Sequence, residues 1–181
     1  MSRYPEIIIN SYVWKQFEIA KTSIHSQYNG VIPIFPVADT KAGDTAWGSK
    51  PYIIYDSFSK PRSTNKYFYP VKSGQLMYSI KGSISEIYEW KDFIINILDR
   101  EDVAAKDINE YAGENLSNLR SYFHCINAYQ MNYIGNTTEL TGQRKQFSTN
   151  LIIKYDYHIT DIYNTKNIHY NIDEETPHAK K

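Results

Sequence analysis

Two stretches of the chain carry apolar residues at helical spacing. In residues 6–27 and again in residues 84–98, apolar side chains recur every three or four positions, which predicts two amphipathic helices. Ser83 and Glu86 have the spacing of a capping box, so the second helix should begin directly after Ser83. The core-facing side of the second helix is predicted to consist of Ile84, Ile87, Tyr88, Lys91, Ile94, Ile95 and Leu98.

A third, shorter helix is predicted after an acidic corner. Residues 103–111 keep a helical pattern, and Gly113 has the position of a residue that closes a helix. The corner holds four carboxylates close together in the chain, namely Asp99, Glu101, Asp102 and Asp107. Such a group can bind a metal ion or act as an acid and base pair, but carboxylates near a helix N-terminus more often only stabilise the helix dipole.

The remaining regular segments have the pattern of β-strands. Alternating or β-branched runs predict strands at residues 51–57, 66–71, 75–81, 122–134 and 147–160. Residues 31–37 are apolar but carry two prolines, which predicts an edge strand or an extended connection. Residues 72–74 are predicted to form the turn between two neighbouring strands.

The two long strands toward the end of the chain each have two different sides. In residues 147–160 the odd-numbered positions are mostly apolar and should face the core, whereas even-numbered positions such as His158 lie on the polar side. One side of the earlier strand is predicted to hold Phe123, Cys125, Asn127, Tyr129, Met131 and Tyr133. If the two strands pair, His124 and His158 should face each other from the polar side.

Together these segments predict an α+β fold, a mainly antiparallel β-sheet with one face covered by two to three α-helices. Residues 1–163 are predicted to form a single domain, because a chain of this length can bury one core. Residues 164–181 lose the alternation, which predicts a flexible C-terminal tail that is disordered or orders only on a partner. The polar loop 135–146 should project from the body of the domain.

Charge and composition exclude some functions. The 181 residues include 20 lysines and arginines and 20 aspartates and glutamates, so the formal net charge is zero and no overall field would hold nucleic acid or an anionic membrane. No apolar run approaches the roughly 18 residues that span a bilayer, and the N-terminus lacks the pattern of a signal peptide. The sequence therefore predicts a soluble, unsecreted protein. Its single cysteine, Cys125, is predicted to be a buried or half-buried thiol.

No combination of residues has the pattern of a catalytic or cofactor site. The five histidines do not occur at metal-ligand spacings, no serine lies in a nucleophile motif, and no glycine-rich phosphate loop is present in the sequence. From the sequence we therefore expect no enzyme activity, no metal and no cofactor. The seventeen tyrosines suit surfaces that meet other proteins, because tyrosine combines an aromatic face with a hydroxyl group.

The order of these segments resembles that of the tail terminator, or tail completion, proteins of tailed bacteriophages. The resemblance covers residues 5–163. It is carried by the Pro-Tyr-Ile-Ile-Tyr-Asp run at 51–56, the run 75–82 that leads into the helix at 84–98, the corner 98–102 with Ala104 and Ala105, and the late strand at 151–155. The resemblance implies a structural protein without catalytic residues, whose six copies form a ring that caps the tail tube, stops its polymerisation and docks on the head connector.

The resemblance also implies partners and a location. The partners would be further copies in a hexameric ring, the tail tube protein, and the tail sheath and neck or connector proteins, with genomic DNA close to the lumen and no membrane. The protein would belong to the tail or neck of a virion and be assembled in the host bacterial cytoplasm. The loops 135–146 and 60–66 and the C-terminal tail are the natural contact elements. Candidate partner-binding residues are Lys60, Arg62, Lys66, Asp99, Asp102, Arg144 and Lys145.

Three other hypotheses remain open from the sequence. Another head-completion or neck protein would share the symmetry and the lack of catalysis. A small α+β enzyme or ligand-binding domain would need His124, His158 and the carboxylates of residues 99–107 to converge in a pocket between helix and sheet. A nucleic-acid-binding module would use Arg144, Lys145 and stacked tyrosines, although the zero net charge argues against it.

Overall fold

The structure is a computed structural model and describes residues 5–20, 28, 32–37, 50–61, 71–99, 101–116, 121–131, 135–136 and 147–159. Within these ranges the helices are α1 (Pro5–Ile19), α2 (Ile84–Leu98) and α3 (Glu101–Asn115). The strands are β1 (Ile34–Pro36), β2 (Tyr52–Pro61), β3 (Lys72–Gly82), β4 (Ser121–Gln130), β5 (Gly135–Asn136) and β6 (Phe147–Ile159).

The strands form one sheet in the order β1, β2, β3, β6, β4, and the short β5 pairs with β6. Neighbouring strands are antiparallel except β1 and β2, which are parallel. The predicted α+β class is therefore confirmed, with a sheet that is mixed rather than purely antiparallel. The predicted edge strand is also confirmed, since β1 lies at an edge of the sheet and ends at Pro36, which cannot donate a ladder hydrogen bond.

The helices pack on one face of the sheet, which we call the helix face. Its core joins Phe17 of α1 and Trp90 of α2 to strand residues such as Leu76, and all three side chains are almost fully buried. The ring centroids of Phe17 and Trp90 lie 5.1 Å apart. The buried hydroxyl of Tyr78 donates a hydrogen bond to the side-chain oxygen of Asn10, which fastens α1 to β3. One face of the sheet is thus covered by helices, as the sequence predicts.

The start of α2 is the best predicted boundary. The N–H group of Ser83 donates to the Glu86 carboxylate at 2.8 Å, and the Ser83 hydroxyl donates to the same carboxylate at 2.6 Å. The carboxylate therefore satisfies a donor that the first helical turn leaves without a partner in the helix. By contrast, α1 ends at Ile19, and the predicted continuation over residues 21–27 lies outside the described residues.

The predicted core-facing side of α2 is partly wrong. The buried residues of this helix are Ile87, Trp90, Ile94 and Leu98. Ile84 and Tyr88, which were expected in the core, are 46% and 49% exposed. Trp90 is the largest side chain of the helix, and its ring packs against Phe17 at the centre of the helix face. The helix is therefore rotated toward Trp90, and Ile84 and Tyr88 are left on the surface.

The predicted end of α3 is wrong. The helix continues past Gly113 to Asn115, so the glycine lies inside the helix and does not close it. Ala112 beside it is buried in the core, which holds the last turn against the rest of the protein. The side-chain amide of Asn115 donates to the Tyr111 carbonyl oxygen at 2.9 Å. Tertiary packing at Ala112 thus outweighs the low helix propensity of glycine.

The turn predicted at residues 72–74 does not exist, because these residues begin the continuous strand β3. Gly74 is required there for a different reason. The Tyr155 ring lies over Gly74 on the helix face, and a Cβ atom at Gly74 would collide with that ring. The glycine signals close packing rather than a change of chain direction. The strand predicted at residues 66–71 lies outside the described residues apart from Val71.

The predicted faces of β4 are wrong beyond its third residue. The register between β4 and β6 shifts between Phe123 and Cys125, as at a β-bulge. Phe123 is buried on the helix face, but after the shift it is Ile126 and Ala128 that are buried there. The extra residue moves the rest of the strand by one position, which exchanges its faces. The strand also ends at Gln130 rather than at residue 134.

Strand β6 agrees closely with its prediction. The edge strand β4 next to it is hydrogen-bonded to helix α3. The side-chain amide of Asn109 donates to the Phe123 carbonyl oxygen at 2.8 Å and accepts from the Phe123 N–H at 2.9 Å. The amide therefore takes the place of a further strand at this point.

None of the helices in the described ranges has the length and apolar character to cross a membrane. The predicted domain boundary at residue 163 lies outside the described residues.

Candidate functional site

The sheet face opposite the helices, which we call the second face, brings together side chains from four strands. The register places Phe58, Gln75, Lys154 and Asn127 in one row across β2, β3, β6 and β4. The next row toward the end of β6 contains Ser73, Asp156 and Cys125. Because side chains alternate along strands, all of these residues project from the same face.

A groove of about 560 Å³ lies over these two rows. Its lining residues are Phe58, Ser73, Gly74, Gln75, Cys125, Asn127, Tyr129, Lys154, Tyr155 and Asp156. Phe58 is 54% exposed and Tyr129 is 39% exposed, and they come from strands on opposite sides of β3 and β6. The groove therefore has an aromatic side chain on each side and polar groups from β3 and β6 between them.

The polar groups of the groove are of mixed charge. The Lys154 ammonium lies 5.2 Å from the centre of the Tyr129 ring, within the range of a cation–π contact. The Ser73 hydroxyl donates a hydrogen bond of 2.7 Å to the Asp156 carboxylate. One cation and one anion therefore line the groove, so its charges favour neither an anionic nor a cationic ligand strongly.

A pair of histidines lies next to the groove on the same face. Nε2 of His124 and Nδ1 of His158 are 2.8 Å apart, and the ring centroids are 4.9 Å apart. The Tyr122 ring contacts both, at centroid distances of 5.6 Å from His124 and 5.4 Å from His158. The prediction that these histidines face each other from the polar side of their strands is confirmed.

Both histidines are held toward the neutral form. Partial burial lowers the pKa of His124, and the nearby Asp156 carboxylate only partly opposes this effect. Burial also lowers the pKa of His158, and the charge that His124 would carry lowers it further. A hydrogen bond between two imidazoles needs one donor and one acceptor, so the observed contact requires at least one of the two rings to be neutral.

Cys125 lies at the bulge, where β4 pairs with Asp156 of β6. Its side chain is partly buried, as predicted from the sequence, and it lines the groove. In the part of the chain that the structure describes, no three side chains of histidine, cysteine, aspartate or glutamate are arranged to hold a metal ion.

The structure describes only some of the predicted partner-binding residues. Those outside the described ranges are Arg62, Lys66, Arg144 and Lys145. The backbone of Lys60 belongs to β2, opposite Ser73, so this residue is part of a strand and not of a loop. Asp99 is exposed directly after α2, and the Asp102 backbone lies in the first turn of α3.

Among the side chains that the structure describes, the histidines and carboxylates of the enzyme hypothesis lie on opposite sides of the sheet. The two histidines lie on the second face, whereas Asp99 and Asp107 belong to the helical layer on the helix face. The groove also lies on the second face rather than between helix and sheet. The described residues therefore give no support to a catalytic group made of these histidines and carboxylates.

Sequence reasoning missed the groove. Phe58, Gln75 and Asn127 come from three different strands and share no motif. The alternation along β6 does place Lys154 and Asp156 on its polar side, which is a usable signal. Their neighbours depend on strand order and on the bulge in β4, which a single sequence does not encode in any local pattern.

A scan against protein-family models finds no family that matches this chain, and a search of curated proteins finds no matching relative.

Proposed function

We propose that this chain is a structural virion protein of the tail terminator kind. Six copies form a ring that caps the tail tube, stops its polymerisation and joins the tail to the head or neck. The mechanism is geometric, because each copy uses two different surfaces to contact its neighbours and the ring closes by symmetry. Growth of the tube stops because its free end is covered.

The observation that carries this proposal is an apolar strip on the outside of α2. Ile84 and Tyr88 are one helical turn apart, and each keeps about half of its surface exposed although the helix already has a complete core-facing side. The Lys91 ammonium lies 4.8 Å from the centre of the Tyr88 ring, and the Lys91 side chain is only 12% exposed. A helix that is apolar on two sides supports a role in protein contacts.

The proposed partners are other copies of the chain, the tail tube protein, and the sheath and neck or connector proteins. The exposed Asp99 directly follows α2, so a partner that covers the strip and extends along the helix to its end would also meet this carboxylate. The basic residues Arg144 and Lys145 are the predicted counterparts on a neighbour or near genomic DNA in the lumen. The site of action is the virion tail or neck, assembled in the host bacterial cytoplasm.

The proposal is tested by polymerising the tail tube protein in the presence of this chain. We expect tubes with one capped end and a lower mean length, counted by electron microscopy. Ile84→Glu and Tyr88→Glu should abolish capping, because a partner that covers the strip would have to bury the new carboxylate in place of an apolar side chain. Met131→Glu is the matched control, since Met131 is a similarly exposed apolar residue at the end of β4. Tubes of unchanged length with the wild-type chain would refute the proposal.

The groove on the second face favours a second candidate, a ligand-binding domain. Its volume of about 560 Å³ lies within the range of small-molecule sites, and aromatic side chains line it together with amide groups. This candidate predicts that a small polar, aromatic-stacking ligand raises the melting temperature of the wild-type protein. Gln75→Ala and Phe58→Ala should remove that rise, whereas Tyr88→Ala on the opposite side of the domain should keep it.

A further inference from the structure

The histidine pair on the second face has no role in the proposed function. His124 and His158 come from the neighbouring strands β4 and β6, and one ring nitrogen of each points at the other across 2.8 Å. In such a pair one nitrogen donates its N–H group and the other accepts the hydrogen bond. The two nitrogens are therefore aimed at each other and are close enough for one metal ion to bind both, once the rings turn so that their lone pairs converge on the ion.

The distance between the two nitrogens selects the kind of metal ion. With a metal–nitrogen bond of about 2.0 Å, two ligands at a right angle lie about 2.8 Å apart, whereas two ligands at a tetrahedral angle lie about 3.3 Å apart. The hydrogen-bonded nitrogens lie 2.8 Å apart, so a right angle at the metal ion would need the two rings to turn but would not need the nitrogens to separate. Cu²⁺ and Ni²⁺ favour such angles, and Zn²⁺ favours the tetrahedral one, which would require the pair to open by about 0.5 Å.

The surrounding structure holds the pair in place. The register shift between Phe123 and Cys125 falls at His124, so the bulge aims its side chain toward β6. Tyr122 is the direct cross-strand partner of His158, and its ring contacts both imidazoles.

We propose that His124 and His158 form a two-histidine site for one divalent transition-metal ion of the Cu²⁺ or Ni²⁺ class. On binding, the proton shared by the pair moves to the other nitrogen of the ring that carries it, so no net proton is released. Two water molecules leave the metal ion, and two metal–nitrogen bonds replace them. Water fills the remaining positions, because the described residues supply no third ligand in place. The ion links β4 to β6 beside the groove.

The test uses the full chain and isothermal titration with Ni²⁺. We expect one ion per chain at this site, and a rise in melting temperature on loading. His124→Gln and His158→Gln should each weaken binding at least about tenfold, because loss of even an outer-shell partner costs 10-fold to 100-fold. His178→Gln is the control for histidines elsewhere in the chain, and it should leave the affinity unchanged.

Electron paramagnetic resonance with Cu²⁺ identifies the ligands directly. The sample carries Cys125→Ser, so that the thiol of Cys125 cannot reduce the copper ion. We expect a spectrum with two equatorial nitrogen ligands, reduced to one or none by His124→Gln. Zn²⁺ should bind more weakly than Cu²⁺ and Ni²⁺. The proposal is overturned if neither Cu²⁺ nor Ni²⁺ binds the wild-type chain. It is also overturned if the His124→Gln and His158→Gln variants bind Cu²⁺ and Ni²⁺ as tightly as the wild-type chain does.

Discussion

The two faces of the sheet are built from the same strands, yet they differ in what lies against them. On the helix face, Leu76, Ile80 and Ile153 are fully buried under the helices. On the second face, the same strands present Gln75, Lys154 and other polar groups to a groove, although Ile152 beside them is buried. The helix face therefore stabilises the fold, and the second face is available for binding chemistry.

The largest expected difference between the two faces is in core substitutions. Trp90→Ala removes the central ring of the helix face and should lower the free energy of unfolding by about 3–5 kcal/mol. Phe58→Ala on the second face removes a ring that is 54% exposed and should change it by no more than about 0.5 kcal/mol. Urea denaturation followed by circular dichroism measures both. Similar losses for the two variants would remove the distinction between the faces.

Alkaline pH should destabilise the helix face through its buried tyrosines. Burial raises the pKa of Tyr78, Tyr28 and Tyr155 above the ordinary value of 10.0. Above pH 10 these tyrosines lose their protons in the unfolded chain while they are still protonated in the folded chain. The free energy of unfolding therefore has its full value below pH 10 and falls as the pH rises above it. Each tyrosine contributes a slope of about 1.4 kcal/mol per pH unit.

Denaturation curves at pH 9–11.5 measure this slope. Tyr78→Phe is the informative variant, since it removes one titrating group and also the hydrogen bond to Asn10. It should be less stable than the wild-type chain at pH 8 but lose stability less steeply above pH 10. An equal slope in both proteins would show that Tyr78 ionises at an ordinary pKa and is not buried as described.

Two glycines should respond in opposite directions to the same substitution. Gly74→Ala brings a methyl group into the Tyr155 ring, which cannot move away because it packs against Phe123 and Tyr157. We expect this substitution to lower the free energy of unfolding by about 1–3 kcal/mol. A Cβ atom at Gly113 would have no neighbouring atom within 4 Å, because this residue lies on an exposed helix surface. Gly113→Ala should therefore raise the free energy of unfolding by about 0.5–1 kcal/mol. Thermal denaturation distinguishes the two signs, and a gain at Gly74 would contradict the packing of Tyr155.

A smaller effect is expected at the edge where α3 meets β4. Asn109→Ala removes the hydrogen-bond partner of both the N–H group and the carbonyl oxygen of Phe123. It should lower the free energy of unfolding by about 1–2 kcal/mol. Asn115→Ala removes a single exposed bond to Tyr111 and serves as the control, with a change within about 0.5 kcal/mol. Hydrogen exchange at the Phe123 amide should accelerate only in the first variant. Unchanged exchange there would mean that another group protects this edge.

The sequence predicts the elements of this fold better than it predicts their faces. The capping box at Ser83 and the alternation in β6 depend on residues close together in the chain, and both predictions are confirmed. The error at α2 concerns the choice between two overlapping helical patterns, because the buried residues Ile87, Trp90, Ile94 and Leu98 also recur every three or four positions. Gly74 has no such local signal, since only the Tyr155 ring from another strand explains it. The bulge in β4, which exchanges the faces of that strand, has no local signal either.

The sequence likewise predicts one part of the candidate site, the histidine pair, and does not predict the groove. His124 and His158 were predicted to face each other because pairing of their strands is enough to bring them together, and that prediction is confirmed. The groove needed the order of four strands and the position of the bulge, which the sequence does not encode locally. The helical pattern of the sequence predicts Ile84 and Tyr88 in the core, whereas in the structure they form the apolar strip on the surface.

The central claim is that this chain works as a ring of copies, and the most direct measurement is its mass in solution. Multi-angle light scattering of the full chain over a wide concentration range gives that mass. The account predicts a discrete hexamer, or a monomer that forms a ring only when tail tube protein is added. Tyr88→Glu should prevent either assembly. A monomer at every concentration that also ignores the tube protein would contradict the account.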